Sequence, residues 1–549
     1  MDGRELLERP AETFPELLAA TVARGPGDPF LVADDGPWTS FAEFGLAARR
    51  FAGGLVSRGI AKGDRVAILM DNRPEFLAAT HGTLAAGAVC VPINSHLTPT
   101  EAGYVASHAE ARVLVTEPRL LPRVRGIPRY PGLDLVVVAP AAGDEAGDGQ
   151  GAPGETAAVA TLPWAEFLAD PVERSAGIRG DDLALIQYTS GTTAFPKGAM
   201  HSHRTLLTAL GARARHLGYG PGDTMIVVTP LFHLNAQAVV FMALGEHFRV
   251  VLCRKFSASR FWGDVRRHRV TSFNGLTDIP GILLARDVEP GERVSSPCTV
   301  VGGIDAARHR AFESRFGVTL VTVYGLTEDP MPVLAPRGGF PPEWDDKLGS
   351  SGRPVDPAVH QIRIVDEAGR DLPPDQTGEI VKRSPATMLG YYKDPEATAR
   401  VLRDGWLATG DLGYLDADGF LYVVGRKKDA MRRSGEMIAA AEVEAALGSH
   451  PEVAEVAVVG VPDPLRGQEV KAFVVLAAGR SPAEVPPAEI LAHAARRLAP
   501  FKLPRYVEYR AELPRTATLK VRKEALRAGQ EVQGPAVFDR ERPGGGATP

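Results

Sequence analysis

Short apolar runs alternate with longer amphipathic stretches through the first part of the chain. Arg65-Val-Ala-Ile-Leu-Met70 and Arg112-Val-Leu-Val-Thr116 have strand length, whereas Phe41 to Arg58 spaces its apolar residues as a helix does. The alternation predicts helices covering a largely parallel sheet. A second series begins at Leu183-Ala-Leu-Ile186 and continues through Thr224 to Thr229, Phe248 to Leu252 and Thr319 to Val323. Each run ends near a polar or Gly-rich turn, the place where open α/β sheets collect ligands. From Gln361 to Tyr422 the pattern changes to short strands and turns, with runs at Gln361 to Val365, Gly378 to Val381 and Phe420 to Val424. Beyond the charged segment Gly425-Arg-Lys-Lys-Asp429 a separate series follows: a helix over Ala440 to Leu447, strands over Val453 to Val459 and Lys471 to Leu476, and a helix over Pro487 to Leu498. The domain boundary is placed at that charged segment.

With 549 residues the chain exceeds what one hydrophobic core supports, so at least two domains are expected. Residues Ala141 to Ala160, rich in Gly and Ala, are read as a mobile surface excursion. The segment 531–549, ending in Arg-Pro-Gly-Gly-Gly-Ala-Thr-Pro549, is read as a disordered tail. The net charge of −5, from 62 basic and 67 acidic residues, gives no electrostatic reason to expect nucleic acid or an anionic membrane as a partner. No apolar run has membrane-spanning length, and Met1 to Leu18 lacks the layout of a signal peptide. Three scattered cysteines, Cys90, Cys253 and Cys298, form neither a metal motif nor a disulfide framework, which points to a reducing, cytoplasmic setting. Small-molecule chemistry is the expectation.

Tyr188-Thr-Ser-Gly-Thr-Thr-Ala-Phe-Pro-Lys-Gly198 concentrates hydroxyls, glycines and one cation directly after an apolar run. Glycine lets backbone N–H groups turn toward an anion, Ser and Thr add donors, and Lys197 adds charge, so Thr189, Ser190, Gly191, Thr192, Thr193 and Lys197 are candidates for gripping a phosphate. The spacing is not that of the common P-loop. Together with Pro230-Leu-Phe-His-Leu-Asn235, Gly302-Gly303, Tyr324-Gly-Leu-Thr-Glu328 and Trp406-Leu-Ala-Thr-Gly-Asp411, it resembles the signatures of the adenylate-forming (ANL) superfamily of acyl-CoA ligases, over roughly residues 30 to 525. Arg254-Lys-Phe-Ser257, Phe261-Trp262 and Met431-Arg-Arg-Ser-Gly-Glu436 are most similar to the carnitine/crotonobetaine-type ligases. Leu519 and the abundance of Ala, Gly, Pro and Arg are also similar to terpenoid-acid ligases of platensimycin-type pathways.

The resemblance implies an α/β fold with a large N-terminal AMP- and acyl-binding body, residues 1–427, and a small mobile α+β lid, residues 428–530, hinged at Lys428. It implies ATP or AMP, coenzyme A and Mg²⁺ as cofactors, and a carboxylic acid or its acyl-adenylate as substrate. His233 would gate the carboxylate pocket. Tyr324 would stack on adenine behind Gly325, Thr327 would bond the α-phosphate, and Glu328 would hold Mg²⁺, a hard cation that prefers oxygen. Asp411 would accept the ribose hydroxyls with Arg426 beside it, and Ser434, Gly435 and Glu436 would line the pantetheine path. Arg432, Arg433, Arg466 and Lys471 are candidate partners for the CoA phosphates. The His233 motif carries no Asp to hold a substrate ammonium, which disfavours an α-amino acid.

Two positions depart from the pattern. Lys520, the candidate bridge between carboxylate and α-phosphate, follows Leu519 where the family has Gly, and Ala194 stands where the phosphate loop has Gly. Both fall on parts used while pyrophosphate is present. The expectation is an acyl-CoA ligase whose thioesterification half is intact and whose adenylation half is impaired, with a partner ligase supplying the adenylate. Three alternatives stay open: a complete two-step synthetase, a ligase loading a carrier protein, and a non-catalytic acyl-AMP or AMP binder. The acid and the oligomeric state are not legible.

Overall fold

The runs marked by apolar residues become strands because their side chains are wanted on a covered sheet. The computed structural model describes residues 11–128, 130–141, 159–172, 177–189, 196–275, 279–288, 290–304, 306–433, 436–463, 466–515, 521–528 and 537–541. By internal contacts the chain divides into two units, Met1–Gln361 with Lys382–Leu407, and Ile362–Val381 with Ala408–Pro549. The second unit thus begins earlier in the chain than the charged segment Gly425 to Asp429.

In the first unit, the strands Arg65–Leu69, Val89–Pro92, Ala111–Thr116, Leu135–Val138 and Ala160–Pro163 run parallel within one sheet, which Leu183–Thr189 joins beside Val89–Pro92. Thr299–Gly302, Ser272–Gly275, Thr224–Val227, Arg249–Leu252 and Pro29–Ala33 run parallel in a second sheet. Helices start where the sequence supplies caps: Ser40 and Glu43 form a reciprocal capping box ahead of Phe41–Val56, and Thr98 and Glu101 do the same ahead of Pro99–His108. Phe261 and Trp262 belong to the core beside the second sheet, where Trp262 stacks on Phe316 with ring centroids 4.5 Å apart. Cys90, Cys253 and Cys298 are free and buried, and burial pushes each thiol up to about 12.

The strand expected over Thr319 to Val323 breaks at Thr322. Thr319–Val321 stays in the large sheet, while Val323–Tyr324 pairs antiparallel with Val333–Leu334. That change of sheet ends the apolar strand at Tyr324.

The second unit carries the sheet of Met431–Arg433, Glu436–Ile438, Val453–Asp463, Gly467–Leu476 and Tyr506–Tyr509, with the helices Ala440–Gly448 and Pro487–Ala494. The latter helix ends four residues before Leu498 because its last turn tightens into i→i+3 bonds ahead of Pro500. One expectation is corrected: Val537–Asp539, inside the segment read as a disordered tail, is a strand on Tyr506–Tyr509, held also by Asp539 against Arg505. Residues 142–158 and 542–549 lie outside the described residues. Among the described residues, no helix is long and apolar enough to cross a membrane.

Candidate active site

Leu183–Thr189 turns back into Lys197–Ser202 as an antiparallel hairpin, with Thr189 directly opposite Lys197. The phosphate-loop candidates Ser190, Gly191, Thr192 and Thr193, with Ala194, lie outside the described residues. The hairpin stem is packed. A side chain on Gly198 would lie 2.6 Å from Ile186, and the Tyr188 hydroxyl meets His108 Nδ1 at 2.7 Å. The short strand Gly390–Tyr391 adds to the outer edge, placing the Tyr391 ring 5.2 Å from Lys197 Nζ. The same phenol donates to Glu328 Oε1 at 2.9 Å. One tyrosine therefore links a cation suited to phosphate with a carboxylate suited to a hard metal.

Tyr324 ends its strand with a buried ring, and Gly325 behind it is exposed. The next residues are held from several sides. His201 Nε2 donates to the Thr327 carbonyl at 2.7 Å, and Met388 N–H donates to the Glu328 carbonyl at 2.8 Å. Asp329 is completely buried, accepting from the Lys382 ammonium at 3.3 Å, from Ser384 Oγ at 2.9 Å and from Thr387 Oγ1 at 2.8 Å. Lys382, equally buried, also stands 5.6 Å from the centroid of Tyr324. Sequence reasoning named Tyr324, Thr327 and Glu328 but missed Asp329, Lys382 and Tyr391. A lysine directly after the apolar pair Ile380-Val381 of the strand Gly378–Arg383 was the available signal.

Gly302 faces Gly275 across parallel strands, and a Cβ on Gly302 would lie 2.0 Å from the Gly275 carbonyl oxygen. Gly303 is open, with no atom within 4 Å of an added Cβ. His233 is the exposed cap of the helix Leu234–Glu246, its ring edge-on to Phe232 with centroids 4.6 Å apart, so it is not a core histidine.

In the second unit, Asp411 and Arg426 are cross-strand neighbours and an ion pair at 2.8 Å, with the carboxylate buried and the guanidinium exposed. Gly410 precedes Asp411 at φ +69°, a turn that glycine makes without strain. Lys428 sits on a short 3₁₀ turn, and its ammonium is pulled below the usual lysine range, first by desolvation and then by Arg426 and Arg527 against Asp429 and Glu524. Arg433 is largely buried against Glu469 at 2.8 Å, and Arg466 pairs with Glu469 and Glu541. Lys471, a candidate for the CoA phosphates, is buried and paired with Glu508 at 2.7 Å, because both faces of its strand are covered, Val470, Ala472 and Val474 packing in one cluster and Phe473 in another. Ser434, Gly435 and Lys520, the side chains of Arg432 and Glu436, and Leu519 lie outside the described residues.

Burial holds four histidines of the first unit neutral: His81 and His360 are pulled down to about 3, His201 and His203 to about 4. Each protonates near 6.5 when the chain unfolds. A lowered folded-state value means that their stabilisation is complete above pH ~6.5 and is lost as pH falls toward 4. Denaturant unfolding at pH 7.5, 6 and 5 should give steadily falling stability with proton uptake on unfolding, and a flat profile would refute neutral burial.

The AMP-binding enzyme family matches residues 18–392, and the AMP-binding enzyme C-terminal domain matches residues 442–520. The chain is 34% identical to the sulfoacetate–CoA ligase of Cupriavidus necator over 519 residues, covering 93% of this chain and 97% of that one. It is 33% identical to the crotonobetaine/carnitine–CoA ligase of Salmonella paratyphi A, covering 89% and 93% of the two chains. Among solved structures it is similar to o-succinylbenzoate CoA synthetase of Bacillus subtilis in complex with its acyl-adenylate intermediate, with a TM-score of 0.78 at 28% identity, covering 94% and 98%. That synthetase is also known in complex with ATP and magnesium ion.

Proposed function

Because the chain belongs to the family of AMP-binding enzymes, as one of its acyl-CoA ligases, we propose that it joins a non-amino carboxylic acid to coenzyme A through an acyl-adenylate, with adenylate formation as its weaker half. The observation that carries the reading is Tyr391 between Lys197 and Glu328. Lys197 supplies the charge for phosphate oxygens. Glu328 uses Oε1 for Tyr391 and leaves Oε2 without a partner among the described residues, a donor that fits Mg²⁺ when substrate phosphates complete its shell. Bound there, the metal would neutralise charge building on those phosphates.

In the first half-reaction a carboxylate oxygen attacks the α-phosphorus of ATP and pyrophosphate leaves. Lys520 neutralises the crowded oxygens, Thr327 bonds the α-phosphate and Asp411 takes the ribose hydroxyls. In the second half-reaction the CoA sulfur attacks the acyl carbon, AMP leaves, and Ser434 and Gly435 let the pantetheine arm pass. Leu519 supports the weakness of the first half. If the loop needs positive φ there, a leucine costs about 1 to 2 kcal/mol and displaces the neighbouring lysine. A partner ligase would then supply the adenylate.

The acid is a separate matter. Sulfoacetate carries a second anion, whereas carnitine and crotonobetaine carry a quaternary ammonium, and the two relatives therefore point to opposite substrate charges. Neither relative is named for a terpenoid acid.

The test supplies carboxylic acids with ATP, Mg²⁺ and CoA, and in parallel their synthetic adenylates with CoA, following acyl-CoA by mass. Faster product from adenylates than from acids, with the acid reaction improved by Leu519→Gly, is the expected result. Equal efficiency from both would leave an ordinary two-step synthetase, and nucleotide binding without turnover of any donor would leave a non-catalytic binder.

A further inference from the structure

Arg213 lies on the inner face of the helix His203–Leu217 with 6% of its surface exposed. Its Nη1 donates to Asn235 Oδ1 at 3.0 Å and its Nη2 to Asn274 Oδ1 at 2.6 Å. Both partners are neutral amides. Among the described residues no carboxylate pairs with this guanidinium, although a buried cation ordinarily has one. Tyr219, the one charge partner among the described residues, is itself buried with its hydroxyl on Ser272 Oγ at 2.8 Å. Burial lowers the Arg213 guanidinium from its usual value, yet arginine stays protonated in proteins.

The atoms left over share one character. Arg213 Nε and Asn235 Nδ2 are buried without a partner, and both are donors. Asn274 Nδ2 is spent on the Asn235 carbonyl at 3.3 Å. One net positive charge and two unused N–H donors therefore belong to one hydrogen-bonded cluster, which an acceptor anion would satisfy and a cation would be repelled from. Asn235 stands two residues after His233, and Asn274 next to the end of the strand Ser272–Gly275. Both are therefore at the ligand end of the parallel sheet.

We propose that Arg213, with the Asn235 amide, receives a second anionic group of the acyl substrate, so that the acid is a dicarboxylate or a carboxy-sulfonate. This rests on the acyl-CoA ligase reading and names its substrate class. A neutral acid leaves the guanidinium uncompensated, and a quaternary ammonium places two cations together.

The experiment compares three chain-matched acids, glutarate, its monomethyl ester and 4-trimethylammoniobutyrate, each also as its adenylate, with the full-length enzyme. Wild type should favour the glutaryl substrate by at least about 10²-fold in kcat/KM. Arg213→Met should lose that preference chiefly through KM while turning over the ester no more slowly, and Arg213→Lys should keep the order anion, neutral, cation. A loss shared equally by all three acids would make Arg213 merely structural and overturn the proposal, as would a wild-type preference for the ester or the ammonium. Those outcomes leave the ligase reading standing. Absence of acyl-CoA from every acid and adenylate removes the ligase reading instead, and glutarate binding by calorimetry in the presence of AMP, lost in Arg213→Met, then decides the anion site on its own.

Discussion

Gly302→Ala is expected to reduce acyl-CoA formation by at least about 10²-fold, because a displacement of the order of 1 Å near reacting groups costs that much. The added Cβ would lie 2.0 Å from the Gly275 carbonyl oxygen and 2.5 Å from its carbon, whereas real Cβ contacts essentially never come within 3.0 Å. The obstacle is backbone, so no side-chain rotation relieves it. The two parallel strands must part, and their register fixes Val301 opposite Asn274 as well as Gly302 opposite Gly275. Gly303→Ala separates backbone strain from ligand contact, since no protein atom lies within 4 Å of its added carbon and its thermal melt should match wild type. Rates from acyl-adenylate and CoA, with thermal melts of both variants, check the expectation. A Gly302→Ala enzyme as fast as wild type would mean that the strands part without cost to the site.

Lys382→Met is expected to destabilise the first unit by about 3–5 kcal/mol, the usual result of removing one partner from a buried ion pair. Asp329 would remain at 0% exposure with only hydroxyl and backbone donors. Lys382 also donates to the Met331 carbonyl at 2.9 Å and to the Asp329 carbonyl at 3.2 Å, so the turn that carries Thr327 and Glu328 loses two anchors as well as a charge. The double variant Lys382→Met with Asp329→Leu should recover much of the loss, because the orphaned carboxylate disappears with its partner. Denaturant midpoints of the three variants give the coupling energy. Purely additive effects would show that the two groups do not depend on each other. Burial raises the Asp329 carboxyl, but Lys382 and the two hydroxyls outweigh it, leaving the carboxyl below its ordinary value. The pair therefore stabilises the fold above the ordinary carboxylate range and loses its contribution as pH falls through that range.

These examples mark where sequence is legible. A strand such as Arg65–Leu69 announces itself through five successive residues, and the Tyr324 to Glu328 motif is contiguous, so both were readable. Asp329 was passed over because its meaning lies in Lys382, 53 residues away, and Tyr391 because its partner Glu328 is 63 residues away. Pairings of that range are settled by the sheets and leave no local pattern. Lys471 fails for a related reason: a lone lysine in a strand looks solvated until the partner Glu508 is found on the neighbouring strand. Val537–Asp539 is too short to register against the polar composition around it. The Arg213 cluster joins three elements through side chains that each look ordinary alone.

The three buried cysteines have a practical consequence at the bench. Thiolate is the reactive form, and a thiol pushed up to about 12 and hidden from solvent offers almost none of it near neutral pH. A thiol-reactive dye added to the folded protein therefore counts coenzyme A and not the enzyme. Free thiol titrated with the dye in timed aliquots then gives an optical record of the second half-reaction, and a slow rise in dye signal with enzyme alone becomes a clock for unfolding.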